Sequence, residues 1–184
     1  GDVSGKGAEA AAITALARYT LRAAALEDGP PSLALQRLNQ AMLAHDDSSQ
    51  FATVVLAYAA AGANGGMDVR FALGGHPPPL VLRRDGSVEA PGAFGTILGA
   101  TADAELTDVE LRLSAGDVLV LYTDGVTEAG VRTTPFGQEG LARLLQRLAG
   151  KSPDAVVGAV EQAVVDAQPG EPRDDIAVVA LRAR

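Results

Sequence analysis

Aspartate is the residue type with which this chain could do chemistry. Asp2 stands in Gly1-Asp2-Val3-Ser4-Gly5-Lys6-Gly7, ahead of an Ala-rich stretch. Asp124 follows the apolar run Val118-Leu119-Val120-Leu121-Tyr122 and Thr123, and Gly125 follows it. Asp174 and Asp175 directly precede a second apolar run, 176–181. Each of the three positions lies at the end of a predicted strand, beside small or turn-forming residues. Carboxylates that converge on one sheet edge repel unless a cation or a proton intervenes. Hard oxygen donors without thiolates, and with little imidazole, suit Mg²⁺ or Mn²⁺ better than zinc. Taken singly, each aspartate reads as a turn or cap residue, because Asp before Gly is a common turn pair. The joint pattern favours a cation site.

Other chemistries fit less well. The chain has no cysteine, which excludes disulfides, thiolate zinc sites, iron–sulfur clusters and a cysteine nucleophile. Gly5-Lys6 hints at a phosphate loop, but that motif needs Ser or Thr after the Lys, and Gly7 stands there. Ser4 precedes Gly5, yet a nucleophile elbow needs Gly two residues upstream, where Asp2 stands. The two histidines are His45 and His76. His45 closes a predicted helix and suits its C-terminal dipole. His76 lies in Gly74-Gly75-His76-Pro77-Pro78-Pro79, where it either fixes the loop by a hydrogen bond or belongs near the site. The formal net charge is −8. That disfavours a general nucleic-acid or anionic-membrane binder. It fits a site that gathers cations, and equally an acidic surface that keeps the protein dispersed. No apolar run is as long as the roughly 18 residues of a membrane span, and no signal-peptide pattern is present.

The elements that must position these aspartates follow from periodicity. Residues 8–26 are Ala-rich, with Ile13, Leu16, Tyr19 and Leu21 assigned to one helical face and Gly29-Pro30-Pro31 as the stop. Ser32 is the expected cap of a second helix carrying Leu35, Leu38, Met42 and Leu43. A polar break at 46–50 leads into a strand at 51–61, a turn at 62–66 and a returning strand at 67–73. Leu80-Val81-Leu82 and Val88 flank the tight-turn pair Asp85-Gly86. Val109, Leu111 and Leu113 alternate with Glu110 and Arg112, giving a strand with one wet face. The run 118–122 reads as a central strand covered on both sides. Helices are expected at 137–148 and 153–165, and a buried strand at 176–181. Strands joined by tight turns mean antiparallel sheets, so the class is α+β. The expectation is a single domain over 1–184, two sheets packed together with helices outside. The abrupt start inside Gly1-Asp2-Val3-Ser4-Gly5 suggests a fragment of something longer.

These residues resemble the bacterial sporulation-type phosphatases, relatives of protein phosphatase 2C in the metal-dependent PPM family. Gly1 to Gly7 is similar to their metal-binding turn, and Phe51-Ala52-Thr53-Val54 to their central strand. Gly75-His76-Pro77-Pro78-Pro79 resembles their Gly-His-Pro-Pro loop, and Leu98-Gly99 the short signature after it. Gly116-Asp117, the run to Thr123, and Asp124-Gly125-Val126-Thr127-Glu128-Ala129 resemble the most diagnostic stretch. Asp174-Asp175-Ile176-Ala177 resembles the closing motif. The matches run in family order along nearly the whole chain. The resemblance implies two antiparallel sheets sandwiched between helices, with the family's N-terminal strands missing here. It implies hydrolysis of protein phosphoserine or phosphothreonine by a metal-activated water, with no protein nucleophile. Asp2 would bridge two Mn²⁺ or Mg²⁺ ions, the Val3 carbonyl would assist, and Asp124 and Asp174 would supply further oxygens. Asp175, Lys6 and His76 are secondary candidates. The implied substrate is a phosphorylated protein of the small anti-sigma-factor antagonist class, acted on in the cytoplasm under an upstream sensor domain. The alternative expectation is a non-catalytic interaction domain that binds a phosphoprotein or packs on a sensor.

Overall fold

The computed structural model describes residues 1–45, 50–62, 65–92, 94–131, 134–168 and 174–184, with the backbone alone at 131, 134 and 135. The elements in chain order are β1 (Asp2–Val3), α1 (Ala8–Ala24), α2 (Pro31–Leu43), β2 (Ala52–Ala61), β3 (Met67–Gly74), β4 (Leu80–Leu82), β5 (Val88–Glu89), β6 (Asp108–Leu113), β7 (Val118–Tyr122), α3 (Asp124–Thr127), β8 (Gly130–Val131), β9 (Thr134–Pro135), α4 (Gly137–Gln146), α5 (Pro153–Ala167) and β10 (Val178–Arg182). The class is α+β with two antiparallel four-stranded sheets, in the orders β1-β2-β3-β6 and β10-β7-β4-β5. The hairpin β8-β9 stands apart from both. No helix among the described residues is long and apolar enough to cross a membrane.

The chain divides into two compact units. The first comprises Gly1–Ala59, Val69–His76 and Gly92–Glu110. Its core gathers Ile13 of α1, Leu35, Leu38 and Met42 of α2, Ala52 and Val54 of β2, Ala72 of β3, and Leu98. Tyr19 was expected on the buried face of α1, but it is 69% exposed. At 100° per residue it falls out of phase with Ile13, and Leu16, Ala17 and Leu21 pack on the core instead. Ser32 is not the cap of α2. Pro30 holds that position, and Ser32 donates its N–H (2.9 Å) and its Oγ–H (2.7 Å) to the Asp108 carboxylate at the start of β6.

The second unit comprises Ala60–Asp68, Pro77–Pro91 and Leu111–Arg184. Its core joins Leu80 and Leu82 of β4, Val118, Val120 and Tyr122 of β7, Leu141 and Leu145 of α4, and Val156, Val160 and Val164 of α5. Ser152 caps α5 by accepting from the Ala155 N–H at 3.3 Å, and Pro153 opens its first turn. The three valines recur every four residues, and each contributes roughly 1.5–3 kcal/mol by burial. β7 is the expected central strand, paired antiparallel with β4 and β10. The final strand departs from expectation. Among the described residues β10 pairs with β7 alone, so it is an edge strand, and Val179 is 50% exposed. Apolar composition marks a strand but does not say how many neighbours it has. The predicted break at 46–50 and turn at 62–66 fall partly outside the described residues; Gly62 N–H donates to Gly66 O at 2.9 Å.

Tyr122 carries an anomaly. Its hydroxyl is buried with no hydrogen-bond partner among the described residues, and burial pushes its pKa up to about 12. Tyr122→Phe removes an unsatisfied group of nearly the same shape. It is expected to leave stability unchanged or raise it by about 1 kcal/mol, read from denaturant midpoints.

Candidate active site

The expected site residues fall in both units. In the second unit, β7 delivers its chain to Thr123 and Asp124, and the segment before β10 delivers Asp174 and Asp175. Thr123 holds the two stretches together. Its Oγ1 donates to the Asp175 carbonyl (2.9 Å) and accepts from the Ala177 N–H (2.9 Å), and its own N–H donates to the Ala177 carbonyl (3.1 Å). Gly125 completes the clasp by its lack of a side chain. A Cβ there would lie 2.5 Å from the Asp175 carbonyl oxygen and 3.5 Å from the Asp174 carbonyl carbon. Any side chain at 125 would push the two backbones apart. Asp124 and Asp174 are thereby brought to adjacent backbone positions.

Both carboxylates use one oxygen locally. Asp124 Oδ1 accepts from the Gly125 N–H at 3.1 Å, and Asp174 Oδ1 accepts from the Asp175 N–H at 2.8 Å. Among the described residues neither is ion-paired with Lys or Arg. Carboxylates carried on two stretches held together in this way, and not ion-paired among the described residues, are a donor type suited to a hard divalent cation. Among the described residues no group of three or more Asp, Glu, His or Cys side chains is arranged to hold one ion.

In the first unit, Asp2 and Val3 form β1 rather than an open turn. They pair antiparallel with Thr53 and Ala52 of β2. The turn proper is at 4–7: Ser4 N–H donates to the Phe51 carbonyl, Ser4 Oγ accepts the Phe51 N–H, and Gly5 and Gly7 adopt φ of 91° and 86°. Lys6 is exposed. His76 is buried at 1% exposure, and its Nδ1 shares a 2.9 Å hydrogen bond with Thr53 Oγ1. Gly75 holds the loop in place with φ 68° and an N–H donated to Gly95 O. Thr53 thus joins two candidates. It is opposite Asp2 in the ladder and bonded to His76 through its side chain.

Thr123 and Thr53 were not singled out by sequence. A Thr immediately before Asp124 was a visible signal, since a short hydroxyl at a strand end readily bonds nearby backbone. For Thr53 there was none, because its partner lies 23 positions away.

The family model described as Stage II sporulation protein E matches residues 1–184. The chain belongs to the SpoIIE family. Among its relatives, the phosphoserine phosphatase RsbU of Bacillus subtilis (strain 168) is 27% identical over 185 residues, covering 98% of this chain and 53% of RsbU. The solved RsbU and RsbW domains of Rv1364c from Mycobacterium tuberculosis superpose with TM-score 0.80 at 23% identity, covering all of this chain and 51% of that one. The catalytic domain of the serine/threonine protein phosphatase PstP, solved with two manganese ions, gives TM-score 0.67 at 18% identity, over 97% of this chain and 83% of that one. The SpoIIE-family chain therefore spans about half the length of RsbU. Its fold is that of the PPM phosphatase domains.

Proposed function

We propose that this SpoIIE-family chain is the catalytic part of a protein serine/threonine phosphatase that hydrolyses phosphoserine or phosphothreonine with the help of Mn²⁺ or Mg²⁺. The observation that carries this reading is the Thr123–Gly125 clasp, which brings the backbone at 174–175 against that of Asp124, with neither Asp124 nor Asp174 ion-paired to Lys or Arg among the described residues. Family membership and the manganese-bound relative support it. Asp2, the Val3 carbonyl, Asp124 and Asp174 are the residues that would hold two ions. Asp175, Lys6 and His76 are secondary. When bound, such ions polarise phosphoryl oxygens and supply a water acidic enough to attack phosphorus directly.

The chain's own residues do the positioning. Thr123 fixes the Asp124 backbone against 175–177, and the two local N–H bonds fix the carboxylate planes. Thr53 ties the β1 register to the His76 loop, which holds Asp2 in place. The substrate class is a small phosphorylated protein, an anti-sigma-factor antagonist in bacterial signalling, met in the cytoplasm by a longer protein that carries a sensor domain. The test is phosphate release from a phosphoserine protein. Release should require Mn²⁺ or Mg²⁺, stop on chelation with EDTA and return when metal is restored. Release that ignores EDTA would overturn the metal-dependent reading. Metal binding in calorimetry with no release from any phosphoprotein would turn the assignment to an interaction domain.

A further inference from the structure

Leu98-Gly99 is a recognisable signature in the sequence, yet the proposed chemistry gives it no task. Its surroundings lie wholly in the first unit. β2 begins at Ala52, with β1 on one side and β3 on the other, and β3 ends at Gly74. Beside Ala52 stands Leu98 instead. The Ala52 N–H donates to the Leu98 carbonyl at 2.9 Å, and the Leu98 N–H donates to the Ala52 carbonyl at 3.0 Å. On its other flank Ala52 pairs with Val3. Backbone bonding alternates along an antiparallel strand, and here Phe51 turns its carbonyl to the Ser4 N–H while Ala52 turns both groups to Leu98. The first residues of β2 are thus gripped from two sides, by Val3 and Ser4 on one and by Leu98 on the other.

The Leu98 side is clamped in turn from α2. Asn39 is 2% exposed and uses both ends of its amide: Nδ2–H donates to the Thr101 carbonyl at 2.9 Å, and Oδ1 accepts the Gly99 N–H at 2.7 Å. A carboxamide can give and take a hydrogen bond at once, which an apolar side chain cannot. Between the two bonded positions the chain has no room for bulk. Gly99 adopts φ 83°, and a Cβ there would lie 2.7 Å from the Gln50 carbonyl oxygen and 2.9 Å from Met42 Cε. The segment is therefore pressed against the end of α2 and against the residue just ahead of Phe51 and β2. Asn39 stands between Leu35 and Met42 on the buried face of its helix, where Leu would bury more apolar surface. What the amide adds is satisfaction of two backbone groups that would otherwise lose their partners.

We propose that Asn39 is a positioning residue of the candidate metal site, acting through Leu98-Gly99 on Ala52 and through Ala52 on Val3. This rests on the reading of Asp2 and the Val3 carbonyl as metal ligands. β1 is two residues long and takes its register from β2, and the start of β2 is braced by Leu98. From Leu98 to Val3 is two strand spacings, about 10 Å. Loss of the amide frees 99–101, loosens Leu98 and lets the start of β2 fray together with β1.

The experiment compares the whole chain with Asn39→Ala, with the gentler Asn39→Ser, and with Val160→Ala, which thins the core of the other unit. Calorimetric titration with Mn²⁺ should show both Asn39 variants binding about tenfold more weakly than the parent, the low end of what loss of a group supporting a metal ligand costs. Without metal, amide exchange should quicken at Ala52 and also at Ser4, whose N–H bonds the Phe51 carbonyl. Phosphate release should fall at limiting Mn²⁺ and recover at saturating Mn²⁺, with KM for the phosphoprotein unchanged. Val160→Ala should lower the melting temperature yet leave Mn²⁺ affinity within twofold of the parent. Parent-like Mn²⁺ affinity in the Asn39 variants would overturn the proposal, as would faster exchange confined to 99–101. So would an equal loss of affinity in Val160→Ala, or failure of both Asn39 variants to fold, since either makes the residue a support of the fold alone. A parent chain that binds no Mn²⁺ is a different failure: it removes the metal reading itself, and this role with it.

Discussion

Asp124→Asn is expected to lower metal-dependent phosphate release by about 100-fold or more while leaving the fold intact. Loss of groups that only support a metal ligand costs 10- to 100-fold, so loss of a ligand's charge belongs at or beyond the upper end. Asn is nearly the same size and keeps an Oδ1 to accept the Gly125 N–H now bound at 3.1 Å. The turn at the end of β7 therefore has no reason to move. The clasp is also untouched, because it runs through Thr123, Ala177 and the Asp175 carbonyl rather than through the Asp124 carboxylate. No ion pair to Asp124 is lost among the described residues, so the melting temperature of the metal-free protein should hold. The measurement is phosphate release under saturating Mn²⁺ alongside thermal melting without metal. Near-normal turnover in the variant defeats the proposed role of Asp124. Lost turnover with a large drop in melting temperature would instead mark Asp124 as a structural turn residue.

The metal-binding reading depends on two strand ends meeting, and the sequence carried only half of that. It showed that Asp124 and Asp174 end or begin apolar runs. It did not show that β7 and β10 are neighbours, because 52 positions separate Thr123 from the carbonyl it binds. Helices were the more legible elements. Periodic apolar residues and the breaker Gly29-Pro30-Pro31 mark α1 and α2 within a few residues, and an apolar stripe marks α5, since their hydrogen bonds are local. Asp85-Gly86 likewise marked the β4–β5 hairpin, where Asp85 Oδ1 accepts from the Ser87 N–H and Oγ–H. What escaped were contacts between distant stretches. Ser32 looked like a cap and instead binds Asp108, 76 positions away. The edge position of β10 escaped for the same reason, since an edge is defined by a missing neighbour. His76 was visible as a loop residue, but its Thr53 partner was not.

The largest effect on stability is expected at Asp117. Its carboxylate, in a residue 3% exposed, accepts from Arg83 Nη1 (2.8 Å), the Ser114 N–H (2.9 Å) and the Arg84 N–H (2.9 Å). It thereby pins the β6–β7 turn to the end of β4. Arg83 is shared: its Nε and Nη2 also bind Glu89, and its pKa is raised, most by that Glu89 bond. Asp117→Ala strands two backbone donors and one face of the guanidinium. Breaking a buried pair from one side costs 3–5 kcal/mol, and Arg83 keeps Glu89, so about 3 kcal/mol is expected. In a chain of this size that is a drop of roughly 6–12 °C in Tm. Burial alone would raise the Asp117 pKa, but the hydrogen bonds from Arg83, Arg84 and Ser114 outweigh it and hold the carboxyl below its ordinary value. The sign follows. A depressed folded-state pKa gives stability that is complete above the unfolded value, near 3.9, and is lost as pH falls through the folded one. The stability gap between the parent and Asp117→Ala should therefore be constant from neutral pH down to about pH 4 and shrink below it. Urea titrations at neutral pH and in acid measure both. A gap under about 0.5 kcal/mol at neutral pH, or one that widens in acid, would mean that the turn is held by its backbone alone.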